Sequence, residues 1–259
     1  MTDPDAAYAN VEAIPDGAQY PARWAVAAAA FRAQARAELA LPYGDTPRQA
    51  LDLFYPAGTP RGLVIFVHGG YWLRFDRSLW SHLAAGPLAR GWAVAIPSYD
   101  LCPEVRIADI TRQIARAATV AAGRIAGPVA LAGHSAGGHL VARMAVPGML
   151  PDGVAARLSH VLPISPVADL RPLLCTSMND RLGLDMASAR AESPVLMRPG
   201  PVPVTVRVGG AELPAFVEQA RWLSQAWGAP LEVAEGRHHF DVIEALQDPD
   251  SAMVARLTA

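Results

Sequence analysis

Gly133-His134-Ser135-Ala136-Gly137 is a G-x-S-x-G sequence that stands between an apolar run, 128–132, and a helix-like segment, 138–144. Such a strand-to-helix turn holds its central serine in a strained conformation, and the glycines leave room for it. The Ala136 N–H then lies at a helix start, where partial positive charge favours an anion. The sequence predicts a nucleophile, Ser135, although a tight turn without chemistry has the same pattern.

An upstream sequence supplies the other half of an acyl-transfer site. The apolar run at 63–67 has the length of a strand and leads directly into His68-Gly69-Gly70-Tyr71-Trp72. Backbone N–H groups of such a glycine turn complete an oxyanion hole. Either motif alone is equally compatible with a plain turn, but the two in this order indicate ester or amide hydrolysis. The expected oxyanion donors are Gly70, Tyr71 and Ala136.

The composition fits one large α/β domain. The chain has 259 residues, of which 52% are hydrophobic and 18% charged, so a substantial core is available. A net charge of -2 without a long basic run gives no indication of nucleic acid. No apolar stretch approaches the roughly 20 residues of a membrane span, and the acidic first residues do not resemble a signal peptide. We therefore expect a cytoplasmic protein whose partner is a small-molecule substrate, with no nucleic acid and no membrane; a homodimer is left open.

Predicted strands and helices alternate along the chain. Helices are predicted at 22–40, 76–90, 104–125 and 214–227, with a terminal helix from about Phe240. Strands are predicted at 51–55, 63–67, 92–97, 128–132, 160–165, 202–208 and 231–234, the first of them at a sheet edge. Repeated alternation implies a mostly parallel sheet with helices on both faces. We expect a single domain over 1–259 with a helical arm over about 1–42.

Residues 169–200 break this alternation. They mix prolines and a glycine with short apolar pieces. A connection of this length inside a compact domain is usually functional or disordered. We expect a small cap of one or two short helices over the site, and a solvated connection is the alternative.

The serine needs a base and an acid, which follow it in the order acid, then histidine. His238 and His239 come after the last predicted strand and before the terminal helix, which is the expected place of the base. Glu212 is the first carboxylate after the strand at 202–208. Asp169, which follows the preceding strand, is the competing acid.

The chain resembles the kynurenine formamidase-like branch of the α/β-hydrolase superfamily. The likeness is carried by the HGG-x-W element at 68–72, the stretch 99–104 (Tyr-Asp-Leu-Cys-Pro-Glu), the turn at 133–138 and the pair His239-Phe240. It extends over about residues 8 to 246. The resemblance implies the α/β-hydrolase fold, with a mostly parallel central sheet, helices on both faces and a small cap.

Residue by residue, the resemblance places the nucleophile at Ser135, the acid at Glu212 and the base at His239. The family usually shows aspartate at the acid position, so Glu212 departs from its pattern. The extra methylene of glutamate requires a compensating shift of the backbone. His238 is the alternative base.

The resemblance implies hydrolysis through a Ser-His-Glu triad and an acyl-enzyme, with an aryl formamide such as N-formylkynurenine as substrate. A general short-chain carboxylesterase is the alternative, and a ligand-binding protein without turnover is a third reading. Substrate contacts are expected from His68, Gly69, Trp72, Tyr99 and His134, although the aromatic side chains fit an ordinary core equally well. No cofactor and no metal are expected, because the sequence shows no tight metal-ligand spacing.

Overall fold

A single eight-stranded sheet organises the computed structural model, which describes residues 3–259. The strands are β1 (Ala37–Pro42), β2 (Ala50–Phe54), β3 (Leu63–Val67), β4 (Ala93–Pro97), β5 (Val129–His134), β6 (Leu158–Ile164), β7 (Val206–Gly209) and β8 (Leu231–Ala234). Their order is β1-β2-β4-β3-β5-β6-β7-β8. The β1–β2 and β2–β4 pairings are antiparallel, and the other pairings are parallel. The predicted α/β-hydrolase fold, with its mostly parallel sheet, is confirmed.

Helices surround this sheet. The α-helices are α1 (Asn10–Ala13), α2 (Tyr20–Arg32), α3 (Ala85–Ala89), α4 (Ile107–Arg124), α5 (Ala136–Met144), α6 (Asp152–Ala155), α7 (Asn179–Leu182), α8 (Met186–Glu192), α9 (Pro214–Trp227) and α10 (Ala252–Leu257). Single 3-10 turns occur at Ala6–Tyr8, Gly17–Gln19, Arg77–Leu79, Ser81–Ala84, Arg171–Cys175, Pro194–Leu196 and Glu244–Gln247. No helix within residues 3–259 has both the length and the apolarity needed to cross a bilayer.

The core lies on both faces of the sheet because successive strand side chains point in opposite directions. Leu63 and Ile65 of β3 pack into the cluster that contains α4. Val64 and Phe66 pack into the cluster that contains residues of α2 and α10. A strand buried on both faces has to be continuously apolar, which explains why β3 shows no alternation in its sequence.

The prediction of a helix over 22–40 is wrong at its C-terminal end. The helix α2 ends at Arg32, and the following residues form the edge strand β1. Most side chains of β1 are exposed, and its alanines, glutamate and leucines favour a helix, so only pairing with β2 makes this segment a strand. The helical arm therefore stops well before residue 42. The predicted edge strand is β2, which instead lies between β1 and β4 and is fully buried.

Two other predicted helices are also broken. The segment 76–90 forms two 3-10 turns and the short helix α3, where Pro87 lacks the N–H that a longer helix needs. The terminal helix begins at Ala252 rather than near Phe240. The Ser251 hydroxyl caps this helix by accepting from the Val254 N–H. Pro249 lies between the 3-10 turn Glu244–Gln247 and this helix, where it lacks the N–H that a continuous helix needs.

Candidate active site

Ser135 lies at the sharp turn between β5 and α5, in a strained conformation with φ 58° and ψ -119°. Its N–H donates to the Ile164 carbonyl at 2.9 Å, which fixes the turn against β6. Glycine is required nearby, because a Cβ on Gly137 would lie 2.0 Å from the Val67 carbonyl oxygen. The sequence pattern therefore reflects close backbone packing around the serine.

His239 and Glu212 form a direct contact beside this serine. His239 Nδ1 lies 2.6 Å from Glu212 Oε2, and both side chains are almost fully buried. An ionised carboxylate only accepts hydrogen bonds, so Nδ1 carries the proton and Nε2 keeps its lone pair. Ser135 and His239 line the same cavity. The arrangement provides a base, oriented by an acid, in the cavity that contains the predicted nucleophile.

Packing also fixes the His239 ring. Its centroid lies 4.1 Å from that of Phe216 and 4.5 Å from that of His134. Burial and the neighbouring His239 hold the pKa of His134 well below its ordinary value of 6.5. His134 is therefore neutral near neutral pH and adds no positive charge beside a protonated His239.

The alternative acid and base lie elsewhere. Asp169 forms an ion pair with Arg171 at 2.6 Å. Burial alone would raise the pKa of Asp169, but the hydrogen bonds from Arg171 outweigh it and leave that pKa below its ordinary value. His238 Nε2 lies 3.0 Å from the Tyr20 hydroxyl, outside the cavity lining. The structure brings Glu212 and His239 together and brings neither alternative to them.

The glycine turn after β3 packs directly against the serine. A Cβ on Gly69 would lie 2.9 Å from both the Ser135 Cβ and the His134 carbonyl oxygen. Gly70, with φ 114°, and Tyr71, with φ 53°, have left-handed conformations and line the cavity. The N–H groups of Gly70, Tyr71 and Ala136 donate to no protein acceptor in the part of the chain that the structure describes. These three groups are available to an anion.

The predicted substrate contacts are only partly placed at the cavity. Gly69 and His134 line it. The expectation that His68, Trp72 and Tyr99 would also line it is wrong, because each is fully buried behind the turn.

These three side chains support the turn from behind. The rings of His68 and Tyr99 stack at 4.4 Å, and the Tyr99 hydroxyl donates to the His68 carbonyl. Burial lowers the pKa of His68 to about 4. Trp72 packs edge-on against His139 at 5.1 Å.

The N-terminal arm, residues 5–24, forms much of the cavity wall, which the sequence did not indicate. The cavity has a volume of about 470 Å³. Its aromatic lining residues are Tyr8, Trp24, Tyr71, Phe75, Trp80 and Phe240. The Tyr71 hydroxyl donates to the Tyr8 carbonyl at 2.7 Å and accepts from Asn10 Nδ2 at 3.2 Å. The arm is thus bonded to the turn that carries the expected oxyanion donors.

The predicted cap segment, 169–200, contributes less to this wall. It contains α7 and α8 between two 3-10 turns, and only Ser177 and Met178 line the cavity. The Ser177 N–H donates to Asp5 Oδ1 of the arm at 2.7 Å. Glu192 of α8 is tied to the domain by a buried ion pair, 3.1 Å long, with Arg143. A role of this segment as a cap over the site stays a prediction.

No group of three or more His, Cys, Asp or Glu side chains within residues 3–259 is arranged to hold a metal ion. His239 lines the cavity, and its Nδ1 contacts the Glu212 carboxylate.

The proteins similar to this chain are hydrolases. The sequence model described as "Alpha/beta hydrolase family" matches residues 64–256. A kynurenine formamidase of Drosophila melanogaster is 32% identical over 243 residues, which cover 83% of this chain and 79% of the relative. A solved chain from Silicibacter sp. TM1040, provisionally described as a thioesterase, is 58% identical, with a TM-score of 0.98 and full coverage of both chains. Esterase B from Lactobacillus rhamnosis is 22% identical, with a TM-score of 0.69 and coverage of 98% and 92%, and therefore shows the fold alone.

Proposed function

We propose that this chain, which belongs to the alpha/beta hydrolase family and is a hydrolase, cleaves a small aryl formamide. The proposed reaction passes through an acyl-enzyme formed on a serine. The predicted resemblance to kynurenine formamidases is confirmed by the relatives of that name. The observation that carries the mechanistic proposal is the 2.6 Å contact between His239 and Glu212 beside Ser135. A nucleophile, a base and an orienting acid are the groups that acyl transfer requires.

In the proposed mechanism, Ser135 Oγ attacks the carbonyl carbon while His239 Nε2 takes its proton. Glu212 holds the imidazole in the tautomer that leaves Nε2 free and stabilises the imidazolium that forms. The free N–H groups of Gly70, Tyr71 and Ala136 are the proposed donors to the oxyanion, and each such donor typically lowers the barrier by about 3–4 kcal/mol. His239 then protonates the leaving amine, and water releases the acyl group by the reverse route.

The proposal of an aromatic leaving group is supported by the cavity. Its volume of about 470 Å³ is within the usual range for a small-molecule site. Aromatic side chains line it, and flat rings pack favourably against such walls. The proposal of a small acyl group is supported by the resemblance to the kynurenine formamidases.

Ester or thioester hydrolysis is the second candidate. It is favoured by the Silicibacter relative, whose provisional description is a thioesterase. The same serine chemistry would serve such a substrate, so the choice depends on the acyl and leaving groups. Binding without turnover is less well supported, because Ser135 and His239 line one cavity and the Glu212 carboxylate contacts His239.

The deciding experiment compares acyl groups on one leaving group. We would measure kcat/KM for 4-nitroformanilide, 4-nitroacetanilide and 4-nitrobutyranilide, each divided by its uncatalysed rate, alongside N-formylkynurenine and a butyryl thioester. If the acyl site is fitted to formyl, a larger acyl group should cost about 1–3 kcal/mol. The corrected kcat/KM should then fall roughly 5- to 150-fold from the formyl substrate to the longer ones. A flat series, or a preference for butyryl, would replace the formamidase proposal with an esterase or thioesterase. Ser135→Ala provides the background for every substrate.

A further inference from the structure

We propose that Ser165 is a positioning residue that holds the Glu212 carboxylate in the orientation His239 needs. This inference rests on the proposed function, in which Glu212 is the acid of the triad. Ser165 directly follows β6 and is fully buried. Its hydroxyl donates to Glu212 Oε1 at 2.5 Å.

The two oxygens of Glu212 have separate partners. Oε1 accepts from Ser165 Oγ at 2.5 Å and from the Gly209 N–H at 2.7 Å, while Oε2 contacts His239 Nδ1 at 2.6 Å. A glutamate side chain rotates about three bonds, and the last of these torsions is broad. Two donors on Oε1 restrict this rotation and so leave Oε2 facing the imidazole. Ser165 supplies one of the two.

The backbone of Ser165 is held in an unfavourable conformation at the same point. Its φ is 47°, in the left-handed region that residues with a Cβ seldom adopt. Its N–H donates to the Arg207 carbonyl at 2.7 Å, and the preceding residue, Ile164, accepts from the Ser135 N–H. Two consecutive residues at the end of β6 therefore contact the backbone of the nucleophile and the side chain of the acid. A glycine would fit this backbone more easily, but it would lack the hydroxyl.

Removing the hydroxyl should reduce turnover more than binding. Ser165 lies outside the cavity lining, so substrate affinity does not depend on it directly. A hydrogen bond to a charged group, when lost, corresponds to roughly a 10- to 100-fold effect. We expect both Ser165→Ala and Ser165→Gly to lower kcat by about this factor with KM nearly unchanged. Ser165→Gly also relieves the positive φ, so its melting temperature should equal or exceed that of Ser165→Ala.

The test is a double-mutant cycle with Glu212→Gln. If Ser165 acts through Glu212, Ser165→Gly should lower kcat about 10- to 100-fold in the natural protein but less than about threefold in the Glu212→Gln background. An equal factor in both backgrounds would show a general structural role and overturn the inference. Ser98→Ala is the matched control, because Ser98 is equally buried and bonds to Arg77 rather than to Glu212. This control should leave kcat within about threefold of the natural value.

The outcomes separate this inference from the proposed function. If Glu212→Gln leaves kcat intact, Glu212 is not the triad acid, and both the Ser-His-Glu triad and the role of Ser165 are refuted, while hydrolysis by Ser135 is tested separately by Ser135→Ala. If Glu212→Gln abolishes turnover while both Ser165 variants retain full kcat, the triad stands and only the role of Ser165 is refuted. Should Ser165→Ala fail to fold, Ser165→Gly decides the matter, because its backbone suits φ 47°.

Discussion

Glu212→Gln should inactivate the enzyme by imposing the wrong tautomer on His239. The Oε1 position faces the Gly209 N–H at 2.7 Å, and that backbone group can only donate. The carbonyl oxygen of a glutamine must therefore occupy this position, which turns its NH₂ group toward His239 Nδ1. Nδ1 would then accept, the proton would move to Nε2, and His239 could no longer take a proton from Ser135.

The magnitude follows from loss of the base rather than from loss of one contact. An aspartate-to-asparagine change in another serine triad, which also imposes the wrong tautomer, lowers kcat by about 10⁴. The same factor here corresponds to about 5 kcal/mol in the activation barrier. Glutamine has nearly the same size and shape as glutamate, so we expect the variant to keep its fold.

The assay is kcat for an activated ester such as 4-nitrophenyl acetate, with a circular dichroism melt to confirm folding. Asp169→Asn is the matched control, since Asp169 is a buried carboxylate paired with Arg171 and away from His239. It should keep kcat within about tenfold of the natural value. A Glu212→Gln protein that keeps more than a tenth of the natural kcat would refute the tautomer argument, and the reverse ranking of the two variants would move the acid to Asp169.

Three further predictions concern the nucleophile, the arm and stability. Ser135→Ala should lose nearly all hydrolysis and all labelling by a serine-directed phosphonate, with an unchanged circular dichroism spectrum; retained turnover would contradict the assignment. Tyr71→Phe removes the bonds to Tyr8 and Asn10, so kcat/KM should fall about 5- to 30-fold and amide exchange in the arm should rise; unchanged exchange would show that the arm is held by other contacts. Burial lowers the pKa of His139 from 6.5 to about 4, so the unfolded chain binds more protons between these values and stability is lost as pH falls. Urea unfolding should show about 1.4 kcal/mol less stability per pH unit from this histidine, and His139→Gln should remove that part of the slope.

Much of the central fold could be predicted because its signals are local. A strand buried on both faces is continuously apolar, as in β3, and a helix with one buried side shows its periodicity, as in α9. The sharp turn around Ser135 could also be predicted, because close packing permits only glycine at Gly133 and Gly137. Each of these features is determined by residues within a short stretch of sequence.

Other features depend on contacts between distant segments. The strand β1 is exposed and rich in helix-forming residues, so its structure depends on pairing with β2. The sequence predicts that Trp72 contacts the substrate, because it follows two glycines and a tyrosine. Its backbone has a φ of 58°, and its side chain is fully buried in the core. The position of the arm over the cavity rests on bonds such as the one between Tyr8 and Tyr71, 63 residues apart. No local pattern encodes such contacts.

The strand order explains why Ser165 could not be identified from sequence and why its position matters. Ser135, Ser165 and Glu212 follow β5, β6 and β7, which are neighbours in the sheet, and His239 follows β8. Each group therefore stands at the same carboxyl edge, next to the group from the adjacent strand. The β6–β7 ladder contains only the Ile164–Arg207 pair and an isolated bridge farther back, so it is a thin junction between the strands that carry the nucleophile and the acid. The Ser165 N–H bond to the Arg207 carbonyl belongs to this short pairing, and the Ser165 hydroxyl adds a side-chain bond from the end of β6 to Glu212, which follows β7.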